Sequence, residues 1–168
     1  MRDLIAGIVA ALLFGVALSL IGILRAYQRR QQLARTTEQA RGRRIIAELP
    51  TASDLILFTE DDTHFHYGAR AIDKGLVTAV RVLINGSPIA AYVSPRWPPG
   101  DMRQPTSFED RPEGIARDHW DVAIEMSAAT ELIPCGAIRE RVSQELARTI
   151  FEAVKQEMER RDAVYTGR

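Results

Sequence analysis

Hydrophobic positions are spread very unevenly along this chain, and the longest apolar run comes first. Residues 4–24 are 21 consecutive positions without a charged side chain. A helix of that length, at about 1.5 Å per residue, spans about 30 Å, the thickness of the hydrocarbon core of a bilayer. The pattern predicts a transmembrane helix over 4–24 after a short tail, 1–3. A cleaved signal peptide is the alternative, although cleavage near Ser19 would leave residues 20–24 as an apolar amino terminus.

Small residues recur at every fourth position of this first helix. Bulky residues follow a second line at the same spacing, from Leu4 to Leu24. Small side chains at this spacing let a second helix approach closely. We therefore predict a helix-packing face, for a second copy or another membrane subunit, made by Gly7, Ala11, Gly15 and Ser19.

A basic segment follows the apolar run. Residues 25–49 carry seven arginines and two glutamates, a net charge of +5, whereas residues 50–168 carry −5. Helix-forming residues predict that the helix continues to Leu49, where Pro50 ends it. The positive-inside rule predicts an amino terminus outside and a cytoplasmic domain, at the inner or plasma membrane. The residues predicted to contact the lipid surface are Arg25, Arg29, Arg30 and Arg35.

The remaining pattern predicts one α+β domain over 50–161 and a flexible tail over 162–168. An apolar stripe at helical spacing from Ile138 to Met158 predicts a helix near 137–160. This helix is expected to cover a small antiparallel sheet of three to five strands. The single cysteine, Cys135, rules out a disulfide within the chain.

Several short patterns predict the strands of this sheet. Residues 54–59 are an apolar run, and the sequence Asn85-Gly86 between two β-rich stretches is the strongest local signal of a hairpin. Residues 119–126 alternate as a half-buried strand does. Residues 64–73 suit either a helix or a strand, and 127–133 suit a short helix ended by Pro134. Residues 95–118 are predicted as a long loop in which Trp97 is a candidate partner-binding residue.

Few residues suggest chemistry. His64, His66 and His119 are weak candidates for a zinc-type metal site, with surface or structural histidines as the alternative. Cys135 precedes a predicted helix, which suits a reactive thiol, although a lone cysteine is more often an apolar filler. No phosphate-binding loop, Cys-x-x-Cys, His-Glu-x-x-His or Gly-x-Ser-x-Gly sequence is present. The sequence therefore predicts no cofactor and no catalytic residue, and no basic aromatic face indicates nucleic acid.

These observations favour a non-enzymatic function. The first hypothesis is a single-pass membrane-anchored accessory subunit, or an assembly or scaffold factor, of a larger membrane protein complex, with the lipid bilayer and other subunits as partners. The second is a membrane-tethered sensor module that binds a ligand or protein through Trp97. The third is a metal-dependent membrane-tethered enzyme that uses the three histidines.

Overall fold

The computed structural model describes residues 2–51, 55–96 and 119–166. The chain divides into two compact units, Met1–Arg41 and Gly42–Arg168. The first unit consists of one helix of 39 residues, α1 (Arg2–Ala40). The chain turns at Gly42, whose φ of +75° is a conformation that glycine adopts without steric cost. The predicted continuation of the helix to Leu49 is therefore wrong, because residues 44–50 form a strand that pairs with its neighbour in the second unit.

The predicted transmembrane helix over 4–24 is also wrong. Among the residues that the structure describes, no helix is long and apolar enough to cross a membrane. The described side chains of α1 belong mainly to its charged half, which begins at Arg25. Each arginine placed at the centre of a bilayer would cost about 3 kcal/mol. The charged half of α1 therefore does not lengthen the apolar segment that precedes it. The predicted cellular location and the predicted lipid partner stay predictions.

The second unit is α+β and contains eight strands and a long helix among the described residues. Its first sheet has the order β1-β2-β3-β4 and its second sheet the order β6-β5-β7-β8. All pairings are antiparallel. The prediction of a single sheet is therefore wrong. The elements are β1 (Arg44–Pro50), β2 (Leu55–Glu60), β3 (His64–Tyr67), β4 (Arg70–Asp73), a 3₁₀ helix (Lys74–Leu76), β5 (Val77–Ile84), β6 (Ser87–Val93), β7 (His119–Met126), β8 (Thr130–Ala137) and α2 (Arg141–Thr166).

The hairpin predicted around Asn85 and Gly86 is confirmed. It joins β5 to β6, and both turn residues have positive φ, 52° and 79°. Two positive φ values are what a type I′ turn requires, because its twist matches the twist of the paired strands. Pro88 lies on β6, which is an edge strand, so its missing N–H leaves no gap inside the sheet.

Residues 64–73, which suited either a helix or a strand, form the hairpin of β3 and β4. Phe65 and Ile72 face each other across this hairpin and are both buried. The short helix predicted over 127–133 is wrong, because Thr130 begins β8. Backbone pairing with β7 overrides local helix preference there, since strand formation depends on non-local partners.

Strand β7 is buried on both sides, and the prediction of a half-buried strand is wrong. Trp120, Val122 and Ile124 lie in the core, but Asp121 and Ala123 on the opposite face are also buried. The strand lies between β5 and β8 in its sheet, which limits its exposure. The carboxylate of Asp121, on the face opposite Trp120, is therefore removed from water.

Helix α2 contributes its apolar stripe to the core that both sheets share. Ile150, Val154 and Met158 are almost fully buried, whereas Val142, in the first turn, is 63% exposed. The helix continues to Thr166, so the predicted tail over 162–168 is helical as far as the described residues reach. Just before this segment, Arg161 Nη1 donates to the carbonyl oxygens of Lys74 at 2.8 Å and Val77 at 3.0 Å.

Candidate functional site

The turn between β2 and β3 is built around Asp61. Its Oδ1 accepts hydrogen bonds from the backbone N–H of Thr63 at 2.8 Å and of His64 at 2.7 Å. The Thr63 hydroxyl adds a third hydrogen bond to the same oxygen at 3.1 Å. An aspartate that binds the backbone two and three residues later is a standard way to close a tight turn. The sequence Asp-Asp-Thr-His therefore determines this turn locally.

The second oxygen of Asp61 binds a buried histidine. His66 Nε2 lies 2.6 Å from Asp61 Oδ2. The carboxylate only accepts, so Nε2 carries the hydrogen. The hydrogen bond from His66, followed by that from the Thr63 backbone, holds the pKa of the Asp61 carboxyl well below its usual range. Both oxygens of Asp61 are thus engaged by the protein itself.

A buried lysine completes this cluster. Lys74 Nζ donates to Glu60 Oε2 at 2.9 Å and to the Asp61 carbonyl oxygen at 2.7 Å, and it lies 4.8 Å from the centre of the Phe65 ring. Burial alone raises the pKa of Glu60, but hydrogen bonds and charges from Lys74 and Arg44 together lower it below 4.5. The lysine therefore has two polar partners and an aromatic one, which is what a buried ammonium group requires.

A second histidine–aspartate pair lies at the start of β7 and differs from the first. His119 Nδ1 and Asp121 Oδ2 are 3.3 Å apart, but His119 Nδ1 and Asp121 Oδ1 are both buried without a hydrogen-bond partner. Burial raises the pKa of the Asp121 carboxyl, and the nearby His119 offsets only part of this effect. Both oxygens of Asp61 are hydrogen-bonded and its pKa is lowered, whereas Asp121 keeps one buried oxygen without a hydrogen bond and burial raises its pKa.

Cys135 does not have the surroundings of a reactive thiol. It lies in β8 with its side chain in the core, and its Sγ contacts the Ile133 carbonyl oxygen at 3.5 Å. Burial, together with the negative charge of Asp121, raises the pKa of the thiol to about 12. The thiolate is the nucleophilic form, so the thiol of Cys135 is protonated and inert at neutral pH. This geometry supports the interpretation of Cys135 as a small apolar residue that fills space in the core.

The three histidines do not come together as one site. His64 and His66 lie on β3 with ring centres 6.0 Å apart, whereas His119 lies on β7 in the other sheet. Over the ranges that the structure describes, no group of three or more His, Cys, Asp or Glu side chains could hold a metal ion. A physical reason is that Asp61, the nearest carboxylate to His64 and His66, already uses both oxygens.

The other predicted site residues lie on α1 or outside the described residues. Gly15 and Ser19 are exposed, and a Cβ added at Gly15 would meet no atom within 4 Å. The side chains at Gly7 and Ala11 and the whole of Trp97 lie outside the described residues. The four arginines predicted to contact a surface are all exposed on α1: Arg25, Arg29, Arg30 and Arg35.

Sequence reasoning missed the best-formed cluster, although part of its signal is local. The Asp61–His66 contact spans five residues, but no motif in the sequence singles out Asp61. The ion pair of Lys74 with Glu60 spans 14 residues. It depends on the β2–β3–β4 hairpins, which were not assigned from the sequence. No pattern within either segment indicates that pair.

The buried carboxylate of Asp121, whose Oδ1 has no hydrogen-bond partner, leads to a pH-dependent prediction. Its raised pKa means that the folded state binds a proton more readily than the unfolded state does, so stability falls as pH rises from about 3.8 through the folded pKa. We expect Asp121→Asn to increase the free energy of unfolding at neutral pH by about 1–2 kcal/mol, because asparagine removes the buried charge.

Urea denaturation of the wild type and the variant at acidic and neutral pH measures this effect. The gain is expected to be small at pH values near 3 and to grow towards neutral pH, while Asp62→Asn on the exposed turn changes little. A variant that is less stable than the wild type at neutral pH would contradict the assignment of Asp121 as a destabilising charge.

Comparisons with protein-family models, with curated proteins and with solved structures found no match for this chain.

Proposed function

We propose that this chain is a non-enzymatic accessory or assembly subunit of a larger protein complex, and that helix α1 is the element that docks on its partner. The observation that carries the proposal is an exposed apolar stripe on α1. Phe14 is 67% exposed, Leu18 53% and Ile21 44%. These residues follow the i, i+4, i+7 spacing of one helix face.

The size of this stripe is sufficient for specific docking. Burial of a Leu, Ile or Phe side chain contributes about 1.5–3 kcal/mol, so three of them supply roughly 4–9 kcal/mol before the costs of association. Exposed apolar residues that line up on one face, unlike single scattered ones, mark interaction surfaces. The partner chemistry that fits is a helix or groove with a complementary apolar stripe.

The chemistry of the second unit supports a role without catalysis. Cys135 is a buried, protonated thiol, and both oxygens of Asp61 are engaged within the turn. The two alternative functions have less support: Trp97, on which the sensor hypothesis depends, lies outside the described residues, and the three histidines of the metal-enzyme hypothesis are divided between two sheets.

The test is a purification of the full chain through a carboxy-terminal tag, comparing the wild type with Leu18→Gln/Ile21→Gln. We expect a stoichiometric partner protein with the wild type and at least about 30-fold weaker binding with the double variant, since roughly 2–4 kcal/mol of apolar burial is lost. Val142→Gln is the matched control, because Val142 on α2 is at least as exposed as Leu18 and Ile21.

Two outcomes would contradict the proposal. One is a partner that binds the double variant as well as it binds the wild type. The other is a wild-type chain that recovers no protein partner and floats with phospholipid vesicles instead, which would mean that lipid covers the stripe on α1.

A further inference from the structure

Among the described residues, the two sheets of the second unit have four edge strands, and one of them is protected along only half of its length. Edge strands present unpaired backbone groups, and proteins protect them with charges, prolines or bulges. Three of the edges carry charged residues: Arg44 and Glu48 on β1, Arg70 and Asp73 on β4, and Glu131 on β8. Strand β6, Ser-Pro-Ile-Ala-Ala-Tyr-Val, has no charged residue.

Pro88 and a bulge protect only the first half of β6. The register of β6 against β5 shifts between Val82 and Leu83, after which Leu83 faces Pro88. The second half, Ala90 to Val93, pairs in regular register from Val82 to Ala79. Regular pairing of an uncharged strand leaves a flat edge, which is the kind to which another strand adds.

The direction of the backbone groups at this edge follows from one hydrogen bond. The N–H of Ser94 donates to the Thr78 carbonyl oxygen at 2.9 Å, which makes this a hydrogen-bonded pair. Alternate residues of an antiparallel strand point their backbone groups the same way. Ala90 and Tyr92 therefore point theirs towards β5, and Ala91 and Val93 point theirs away from it. In the described chain no strand pairs with that outer side of β6.

We infer that β6 is a self-association edge, on which β6 of a second copy of this chain adds antiparallel to form one sheet across the dimer. Two identical strands related by a two-fold axis present the same surface to each other. An uncharged strand can lie against itself without placing like charges opposite each other. Residues 50–168 carry a net charge of −5, and β6 itself contributes none of it.

Size sets the expected strength of this contact. A pairing of four residues per copy buries less than the roughly 1,200–2,000 Å² of a standard interface. We therefore expect a weak dimer, with a dissociation constant on the order of 10 µM or weaker. The inference does not depend on docking through α1, because it concerns a strand of the other unit.

Site-directed cross-linking of the full chain tests the inference. The native cysteine is buried, so a cysteine introduced at the exposed Ala91 is the reactive one. We expect Ala91→Cys to give a covalent dimer with a short bifunctional maleimide, and Ala71→Cys on the charged edge β4 to give little. Repeating both in the Leu18→Gln/Ile21→Gln background separates this contact from any dimer that forms through α1.

A second measurement tests whether the two copies associate through β6. Ala91→Lys is expected to weaken self-association in sedimentation velocity at least about tenfold without changing the unfolding midpoint, because the two lysines would lie on the same face of the joined sheet, close to the axis. Ala71→Lys is the matched control. A chain that stays monomeric at millimolar concentration, or self-association that Ala91→Lys leaves unchanged, overturns the inference. Protection of the β6 amides by a different protein alone would also overturn it.

Discussion

Replacement of Phe65 by alanine is expected to lower the free energy of unfolding by about 3–5 kcal/mol. Phe65 is fully buried, and its ring stacks on Phe58 with centres 5.7 Å apart. The variant leaves a cavity in the core that the two sheets share, and it also removes the aromatic face beside the Lys74 ammonium group. Both losses act in the same direction, so this substitution is among the most damaging single changes that we expect in β3.

Chemical denaturation of the full chain measures this loss. Domains of this size are stable by about 5–15 kcal/mol, so the variant is expected to be partly unfolded or to have a strongly reduced midpoint. Leu132→Ala on the exposed side of β8 is the control and is expected to change stability by less than about 1 kcal/mol. A Phe65→Ala variant as stable as this control would mean that β3 does not pack into the shared core.

The elements that the sequence predicted correctly depend on local chemistry. The turn at Asn85 and Gly86 follows from two residues that tolerate positive φ, and α2 follows from an apolar stripe at helical spacing. Both signals lie within a few residues of the structure that they determine. These elements are the hairpin β5–β6 and the helix that completes the core, and neither required knowledge of a distant partner.

The errors arose where contacts with another segment of the chain decide the structure. Residues 44–49 contain charged residues that suit a helix, but backbone pairing with β2 makes them a strand. Residues 130–133 become a strand because they pair with β7, which precedes them by a short turn. Arg161, near the end of α2, binds the carbonyl groups of Lys74 and Val77, which lie 87 and 84 residues away. Such contacts leave no periodic signal in either segment.

The candidate site also combines local contacts, which the sequence could indicate, with non-local ones, which it could not. The hydrogen bonds of Asp61 to Thr63 and His64 are local, so an Asp-x-Thr sequence after a strand could have indicated the turn. The burial of Asp121 could not be predicted, because the alternation of β7 placed it on a solvent-facing side. Its pKa depends on the strands on both sides of β7, and a single strand pattern does not contain that information.

Removal of the Asp61 carboxylate is expected to lower the free energy of unfolding by about 2–3 kcal/mol at neutral pH in the variant Asp61→Ala. The variant loses the hydrogen bonds from the backbone N–H groups of Thr63 and His64 and leaves the buried His66 without its partner. Water can replace part of these contacts because the turn is partly exposed, which keeps the expected loss below that of Phe65→Ala.

The pH dependence of this loss distinguishes an electrostatic origin from a general defect in packing. The pKa of Asp61 is lowered in the folded state, so its contribution is fully present above the unfolded value of about 3.8 and is lost as pH falls through the folded pKa. Unfolding curves of the wild type and Asp61→Ala are therefore expected to converge in strong acid. Asp62→Ala, at the exposed next position, is the control and is expected to follow the wild type. If the difference in unfolding free energy between the wild type and Asp61→Ala stays constant into strong acid, the effect of Asp61 comes from packing and not from its charge. Because Asp121→Asn is expected to act with the opposite sign, and above a pH of about 3.8 rather than below it, the two aspartates test whether hydrogen bonding or burial dominates at each histidine pair.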